Sequence, residues 1–241
     1  MSDNDFIWRF TPSRTHPQLL EDIFVQRHGL LDDILEKAAE SVTTGNRHHL
    51  LLVGPRGIGK THLISLLHHR IVQDESLAPR VRIAWLLEDE TVTSFAQLLK
   101  RIYELLAEQH PDEFPLEWLR NLLGRPTEQI QRELETQLVA AFADKTLLLL
   151  IENLDLIFEG LGATGQKQWR SFLQEHPLAC IVASTQRLFG PVQKRTEPFF
   201  GFFSPIHLKP LRVQDATELL ERIAATRQQQ DLVAFLNTPD G

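Results

Sequence analysis

The sequence predicts an α/β fold in which helices cover both faces of a parallel sheet. Short apolar segments alternate with amphipathic segments along most of the chain, which is typical of parallel strands joined by helical crossovers. A glycine-rich segment at 54–61 lies between one such strand and one such helix. The 241 residues, 42% of them apolar, suffice for one sizeable domain with a small helical appendage.

Five short apolar segments are predicted to be strands. Each is rich in Leu, Ile, Val or Ala and is bounded by polar residues, Gly or Pro, as buried parallel strands are. The predicted strands are residues 49–53, 81–87, 146–151, 179–184 and 205–208.

Helices are predicted between these strands, where apolar residues recur at intervals of three and four. They cover residues 30–42, 60–73, 93–109, 128–143, 166–174, 213–225 and 229–236. Thr93 or Ser94 is the expected N-cap of its helix. Residues 111–126 contain three prolines and a glycine, and they are predicted to form a short helix between breaks.

The charge balance and the cysteine count exclude several classes of protein. The net charge is −7, so the chain as a whole lacks the basic surface that binds nucleic acid phosphates. Direct DNA binding would need a local basic patch or a domain outside this chain. The single cysteine, Cys180, excludes a disulfide framework and a cysteine-rich zinc site. Because no signal peptide and no membrane-spanning run is recognisable, we expect a cytoplasmic protein without membrane contact.

The strongest functional signal is the glycine-rich loop after the first predicted strand. It fits the phosphate-binding pattern G-x-x-x-x-G-K-[ST] at every fixed position. Its glycines let the backbone approach phosphate oxygens, and successive N–H groups at a helix start favour an anion. We expect Lys60 to reach the β- and γ-phosphates of ATP and the Thr61 hydroxyl to ligate Mg²⁺. The predicted nucleotide-binding residues are Gly54, Pro55, Arg56, Gly57, Ile58, Gly59, Lys60, Thr61 and His62.

Polar residues at the ends of two further strands complete the predicted site. Glu152 ends the third strand and is predicted to hold Mg²⁺ directly or through water. Asp155 lies three residues later and either assists in catalysis or only caps the following turn. At the end of the fourth strand, Ser184, Thr185 or Gln186 is placed to sense the γ-phosphate or the attacking water, and we take Thr185 as the candidate.

Together these segments resemble the AAA+ class of ATPases, in particular its origin-recognition and STAND-like branches. The resemblance covers residues 20–236 and includes Glu152-Asn-Leu-Asp155, Ser184-Thr-Gln-Arg-Leu-Phe189 and the stretch 198–211. Phe24-Val-Gln-Arg27 is similar to the segment with which this class contacts adenine. The resemblance implies a five-stranded sheet in the order 5-1-4-3-2, a helical lid, and ATP bound where lid and sheet meet.

The resemblance also implies self-association through the nucleotide interface, with an arginine of one subunit reaching the γ-phosphate of its neighbour. Arg195, just before the fifth strand, matches that position best, and Arg187 and Arg212 match it less well. The class carries Asp then Glu at the end of the third strand, whereas this chain has Asn153 at the second position. Because Asn cannot accept a proton at neutral pH, we expect binding to survive and hydrolysis to be slow unless Asp155 or a partner supplies the base.

On this resemblance the chain divides into three parts. Residues 1–20 form an irregular N-terminal segment, residues 21–211 form the AAA+ nucleotide-binding domain, and residues 212–241 form a partial helical lid. The sequence stops in the turn-forming segment Asn237-Thr-Pro-Asp-Gly241, so we expect the lid to be truncated.

Three functions are compatible with these residues. The leading one is an ATPase that acts as a nucleotide-dependent switch or assembly factor, with a protein client, in a DNA-linked process. The second is a hydrolysis-deficient, ATP-bound scaffold, which Asn153 favours. The third is a small-molecule kinase, which the long helical insert at 93–143 fits poorly. Because a fold does not fix a function, a turnover assay is needed to separate the first two.

Overall fold

Five strands form one parallel sheet within residues 15–87 and 92–226, the part of the chain that the computed structural model describes. The strands are β1 His49–Val53, β2 Val81–Leu86, β3 Thr146–Ile151, β4 Ala179–Thr185 and β5 Ser204–His207. Their order in the sheet is β2-β3-β4-β1-β5. This is the 5-1-4-3-2 order seen from the other edge, so the predicted fold is confirmed.

Helices connect the strands and cover both faces of the sheet. They are α1 Pro17–Asp22, α2 His28–Thr43, α3 Lys60–Gln73, α4 Phe95–Gln109, α5 Leu116–Arg120, α6 Thr127–Ala141, α7 Leu154–Glu175, α8 Gly190–Gln193 and α9 Val213–Thr226, with a 3-10 turn at Ala78–Arg80. Ser94, one of the two predicted N-caps, accepts the backbone N–H of Gln97 at the start of α4.

Two apolar layers pack against the two faces of the sheet. Alternate residues of β1 point to opposite faces, so Leu51 and Val53 belong to one layer and Leu50 and Leu52 to the other. Helices α4, α6 and α7 cover the first face, and α1, α2 and α3 cover the second. Every residue of β3 and β4 is buried, which explains why these strands are continuous apolar runs rather than alternating ones.

The amino-terminal part departs from the irregular segment predicted for residues 1–20. Residues Pro17–Asp22 form α1, and Pro17 occupies its first turn, where the missing N–H breaks no helical hydrogen bond. Residues 1–14, the predicted helix at 229–236 and the turn at 237–241 lie outside the described residues. Among the residues that the structure describes, no helix is both long and apolar enough to cross a membrane.

Helix α7 begins at Leu154, well before the helix predicted at 166–174. Gly160, Gly162 and Gly165 weaken the helical pattern of the sequence, which is why its first half is missed. Gly162, with a φ of 58°, bends the helix. Gly160 serves close packing, because a Cβ at that position would overlap the backbone oxygen of Val92. Leu154–Glu175 thus consists of two helical segments joined at a kink at Gly162, and the predicted helix at 166–174 lies in the second segment.

Candidate functional site

The carboxyl ends of β1, β3 and β4 border a cavity of about 490 Å³. Ligands of parallel α/β sheets bind at this edge. Residues 56–62 line the cavity, together with Glu152 and Asn153 after β3. Leu211 and Leu219 line it from the side of α9. The cavity thus joins the predicted phosphate loop, the predicted metal-binding acid and the helix predicted to begin the lid.

The phosphate loop, residues 54–61, takes a conformation that its glycines permit. Gly57 and Gly59 have φ angles of 80° and 96°, in the left-handed region that most other residues avoid. The N–H of Gly54 donates to the Thr185 carbonyl at 3.2 Å, which ties the loop to β4. Helix α3 starts at Lys60, so its first N–H groups and the positive end of its dipole lie at the cavity. This arrangement is suited to an anion.

The ammonium group of Lys60 is buried within the phosphate loop. It donates to the carbonyls of Gly54 at 2.6 Å and Pro55 at 3.0 Å. Burial lowers the pKa of Lys60, while the carboxylates of Asp155 and Glu152 oppose that shift. A buried cation held by carbonyl dipoles is expensive for the protein, and a polyphosphate would stabilise it.

Thr61 and Glu152 form the part of the site that fits a metal ion. The Thr61 hydroxyl donates to Glu152 Oε2 at 2.7 Å, although 91 residues separate the two in sequence. Glu152 is buried at the end of β3. The described residues contain no cluster of three or more His, Cys, Asp or Glu that would hold a metal without help. One carboxylate and one hydroxyl suit Mg²⁺, which takes its remaining ligands from water and substrate phosphates.

Asn153 has a left-handed backbone, with φ of 52° and ψ of 57°, and is the N-cap residue of α7. Its N–H donates to the Ser184 hydroxyl at 3.4 Å, linking the ends of β3 and β4. Asn tolerates this conformation better than most residues, because its short side chain bonds locally. The residue type at this position therefore meets a backbone requirement, whatever it does in catalysis.

Thr185 does not line the cavity, whereas its neighbours Ser184 and Gln186 do. Thr185 is fully buried, and its hydroxyl lies 3.0 Å from both Asp155 Oδ1 and the Arg187 carbonyl. Among the three alternatives at the end of β4, the geometry thus favours Ser184 or Gln186 for contact with a ligand. Thr185 is instead placed to hold Asp155.

Arg195 and His62 complete the set of predicted site residues. Arg195 is exposed between α8 and β5 and does not line this cavity. The ring of His62 does line it, but its Nε2 lies 2.9 Å from the Leu20 carbonyl and anchors α3 to α1. Burial lowers the pKa of His62, which disfavours the charged ring.

Sequence reasoning missed how the residues before α2 join this site. Arg27 donates to the Ile58 carbonyl of the phosphate loop and, at 2.8 Å, to the Lys209 carbonyl after β5. Arg222 of α9 donates to the Phe24 carbonyl at 2.9 Å. The similarity of Phe24-Val-Gln-Arg27 to an adenine-contacting segment pointed to the region but not to these contacts. No sequence signal identified Arg222.

Several solved structures share this fold. Drosophila ORC bound to DNA aligns with a TM-score of 0.64 and 17% identity over 93% of this chain and 55% of that one. The Aeropyrum pernix ORC2 protein, in ADPNP–ADP complexes, gives 0.61 and 16% over 83% and 51%. The Aeropyrum pernix ORC1 protein in complex with DNA gives 0.59 and 18% over 92% and 53%. The chain thus spans about half the length of these structures, and at these identities the likeness concerns the fold.

Sequence comparisons assign the chain to a family. Comparison with curated protein sequences gives no match. A protein-family model for the AAA ATPase domain matches residues 24–192, more than half of the sequence. The chain therefore belongs to the AAA ATPase domain family.

Proposed function

We propose that this chain binds ATP with Mg²⁺, hydrolyses it slowly, and uses the bound nucleotide as a switch for assembly or partner binding. The observation that carries the proposal is the 2.7 Å contact between Thr61 and Glu152 beside the phosphate loop. A hydroxyl at the start of a phosphate-binding helix and an acid at a strand end are the protein ligands that Mg²⁺–ATP requires. Membership of the AAA ATPase family supports the same reaction.

The cavity offers different surroundings to the two ends of ATP. The N–H groups at the start of α3 and the ammonium of Lys60 suit the phosphates. Phe24, Leu211 and Leu219 provide apolar walls that suit the adenine ring. In this assignment Thr61 and Glu152 hold the Mg²⁺, which neutralises phosphate charge when it is bound.

We assign activation of the attacking water to Asp155 rather than to Asn153. An Asn side chain cannot accept a proton at neutral pH. Asp155 does not itself line the cavity, but its carboxylate raises the pKa of Lys60, and the Thr185 hydroxyl lies 3.0 Å from one of its oxygens. Ser184 or Gln186, which line the cavity, then sense the γ-phosphate.

Phosphate release under saturating ATP tests the hydrolysis assignment. Asp155→Asn is expected to lower kcat at least about tenfold with little change in ATP affinity. Thr185→Val is the matched control, because it removes the hydrogen bond and leaves the carboxylate, and its effect is expected to be smaller. Asp155→Asn turning over like the parent would refute the assignment.

A second variant, Asn153→Asp, tests in the same assay whether the missing carboxylate limits hydrolysis. Asp tolerates a left-handed backbone, so this change adds a carboxylate without the strain that Glu would bring at a φ of 52°. We expect turnover to rise about tenfold, less than a fully evolved base provides. An unchanged rate in a folded, ATP-binding variant would show that the missing carboxylate is not what limits hydrolysis.

Asn153 also supports a second candidate, an ATP-bound scaffold that does not hydrolyse its nucleotide. The same assay separates the two functions. Undetectable turnover in both the parent and Asn153→Asp, with ATP binding intact, would favour the scaffold. Measurable turnover in the parent that depends on Glu152 would favour the switch.

The switch is proposed to act through self-association, with Arg195 reaching the nucleotide of a neighbouring copy. Its exposed position outside the chain's own cavity supports a role in trans. Arg195→Ala is expected to bind ATP normally but to lose nucleotide-dependent assembly or turnover. Mixing it with Lys60→Ala subunits should restore part of the activity at shared interfaces. Absence of rescue, with a parent that stays monomeric at all ATP concentrations, would remove this role.

A DNA-linked process and a protein client complete the proposal. The DNA-bound ORC structures of the same fold support the link, whereas the net charge of −7 argues against non-specific DNA contact by this chain itself. ATP turnover and particle mass, each measured with and without duplex DNA, test the link. No change in either quantity would argue against direct coupling to DNA.

A further inference from the structure

Arg27 lies beside the phosphate loop, and within residues 15–87 and 92–226 its side chain bonds only to backbone carbonyls. Its Nη1 donates to the Ile58 carbonyl, and its Nη2 donates to the Lys209 carbonyl at 2.8 Å. A Cβ added to Gly59 would lie 2.8 Å from Nη1, so the guanidinium packs against the start of α3. One side chain therefore joins the loop to the segment that leads from β5 into α9.

Arg27 differs from three arginines on nearby elements that pair with carboxylates: Arg70 with Glu21 and Asp32, Arg212 with Asp215, and Arg222 with Glu218. Arg56, which also lines the cavity, is exposed to solvent. Among the described residues no such ion pair forms at Arg27, and burial lowers the pKa of its guanidinium. Carbonyl dipoles solvate a cation but leave its charge in place. An anion in the cavity would therefore attract this group strongly.

The backbone that presents Arg27 is itself strained. Gln26 has a φ of 58°, and the N–H of Arg27 bonds to the Val25 carbonyl two residues earlier at 2.8 Å. A three-residue turn with a positive central φ is rare and unfavourable for a residue other than Gly. The surrounding contacts hold this turn in place, and the turn directs Arg27 at the phosphate loop.

The residues just before Arg27 also contact α9, through a second arginine. Arg222 donates to the carbonyls of Asp22 at 3.3 Å and Phe24 at 2.9 Å. Leu219 of α9 lines the cavity. The residues before α2 thus contact α9 through Arg222, and contact both the phosphate loop and the β5–α9 connection through Arg27.

We propose that Arg27 is a latch operated by the polyphosphate of the nucleotide. The latch is closed when the guanidinium joins the Ile58 and Lys209 carbonyls. Phosphate oxygens entering the loop compete for the guanidinium and release the Lys209 carbonyl, which loosens the β5–α9 connection. Nucleotide occupancy is thereby transmitted to α9. The proposal rests on the nucleotide binding proposed above and adds how binding is communicated.

Amide hydrogen exchange of the peptides covering residues 208–226 tests the latch. The probe is the non-hydrolysable analogue AMPPNP with Mg²⁺, added at saturation as judged by calorimetry. In the parent, we expect AMPPNP to speed exchange around residues 208–212 about tenfold, the effect of losing one charge-assisted hydrogen bond. Arg27→Met is expected to exchange at the fast rate without AMPPNP and to show no further change with it.

Two variants serve as controls. Arg27→Lys keeps the charge but replaces the planar guanidinium fork, whose two Nη atoms reach the separate Ile58 and Lys209 carbonyls, with a single ammonium nitrogen. It should therefore behave like Arg27→Met, and it provides a second test if Met at this site impairs folding. Arg222→Met removes the hydrogen bonds from α9 to the Asp22 and Phe24 carbonyls. It should speed exchange within α9 and leave the effect of AMPPNP on residues 208–212 unchanged.

The outcomes distinguish the latch from nucleotide binding itself. If AMPPNP binds the parent but exchange at 208–212 responds equally in the parent and Arg27→Met, the latch is refuted. If the parent does not bind AMPPNP, the proposed function fails. The nucleotide-free comparison of parent with Arg27→Met then still shows whether Arg27 restrains residues 208–212, and equal exchange rates there refute the latch as well.

Discussion

The charged side chains in one cluster at each edge of the sheet bond to different kinds of group. At the carboxyl edge, Lys60 is buried and Arg27 is half-buried, and both bond to backbone carbonyls beside the cavity. At the amino edge, Arg82 and Lys145 both bond to the carboxylate of Glu113, at 2.6 Å and 2.9 Å. Those two cations lower the pKa of Glu113 to about 2.

The contrast separates a satisfied charge network from a cavity that is suited to an anion. In the Glu113 network the opposite charges satisfy each other, and the network joins the start of β2, the α4–α5 loop and the residue before β3. Arg47, at the same edge, instead bonds to the Ser41 and Pro177 carbonyls but does not line the cavity. At the carboxyl edge, positive charge remains for an anion to neutralise. Changes at the amino edge should therefore alter stability, and changes at the carboxyl edge should alter ligand binding.

The largest effect expected at the amino edge concerns His49. Its ring stacks on Phe202 with centroids 4.0 Å apart, and its buried Nδ1 has no hydrogen-bond partner among the described residues. Burial, followed by the charges of Arg170, Arg47 and His48, lowers the pKa of His49 from 6.5 to about 4. The folded protein therefore strongly prefers the neutral ring.

The sign of the pH dependence follows from that preference. Well above pH 6.5 the ring is neutral in both states. Between pH 6.5 and 4 the unfolded chain binds a proton that the folded protein does not, so stability falls by at most about 3 kcal/mol and then levels off. His49→Phe keeps the stacked ring and should lose less stability over this range. Urea unfolding at pH 7, 5.5 and 4.5 measures the difference, and equal slopes for the two proteins would contradict the assignment.

The Glu113 network is expected to contribute less, because its side chains are partly exposed. Glu113→Gln should reduce the free energy of unfolding by about 1 kcal/mol at pH 7. Because its folded pKa is depressed, this contribution is present above pH 4.5 and is lost as the pH falls towards 2. Denaturant unfolding of both proteins at pH 7, 4 and 3 tests this. A difference that stays constant over this range would contradict the charge mechanism.

The smallest expected effect lies at the carboxyl edge, in the strained turn before Arg27. Gln26→Gly removes the penalty of a positive φ but adds freedom to the unfolded chain, so the net gain in stability should be about 0.5 kcal/mol. Asn153→Gly is the matched control. Asn already tolerates its left-handed φ of 52°, so Gly should bring a smaller gain there. An equal or larger gain at residue 153, measured by thermal unfolding, would contradict the strain at Gln26.

Local patterns were sufficient to predict most of the sheet. The bounds of β1, α3 and β3 agree with the prediction residue for residue, because each is an uninterrupted pattern between clear boundaries. The start of α7 was missed because Gly160, Gly162 and Gly165 resemble helix breakers in sequence. Only the packing of Gly160 against the backbone near Val92 explains why glycine lies within a helix there.

The candidate site also contains residues that local patterns predict and residues that they do not. The phosphate loop was predictable because its pattern is contiguous, and Glu152 because it ends a continuous apolar strand. The choice among Ser184, Thr185 and Gln186 depends on which face of β4 each occupies. Because β4 is buried on both faces, its sequence does not alternate between apolar and polar residues. The face that each residue occupies could therefore not be inferred from the sequence. The contacts of Arg27 join segments far apart in sequence, which no local pattern encodes.

Calorimetric titration with ATP tests the central claim, that the carboxyl edge holds an unneutralised cationic site for Mg²⁺–ATP. The parent is expected to bind one ATP, more tightly with Mg²⁺ than without it. Lys60→Ala should weaken binding at least about 100-fold, the loss of a charge-assisted contact to phosphate, and should unfold no more easily than the parent. A parent that does not bind ATP, or a Lys60→Ala variant that binds it as tightly as the parent, would contradict the account.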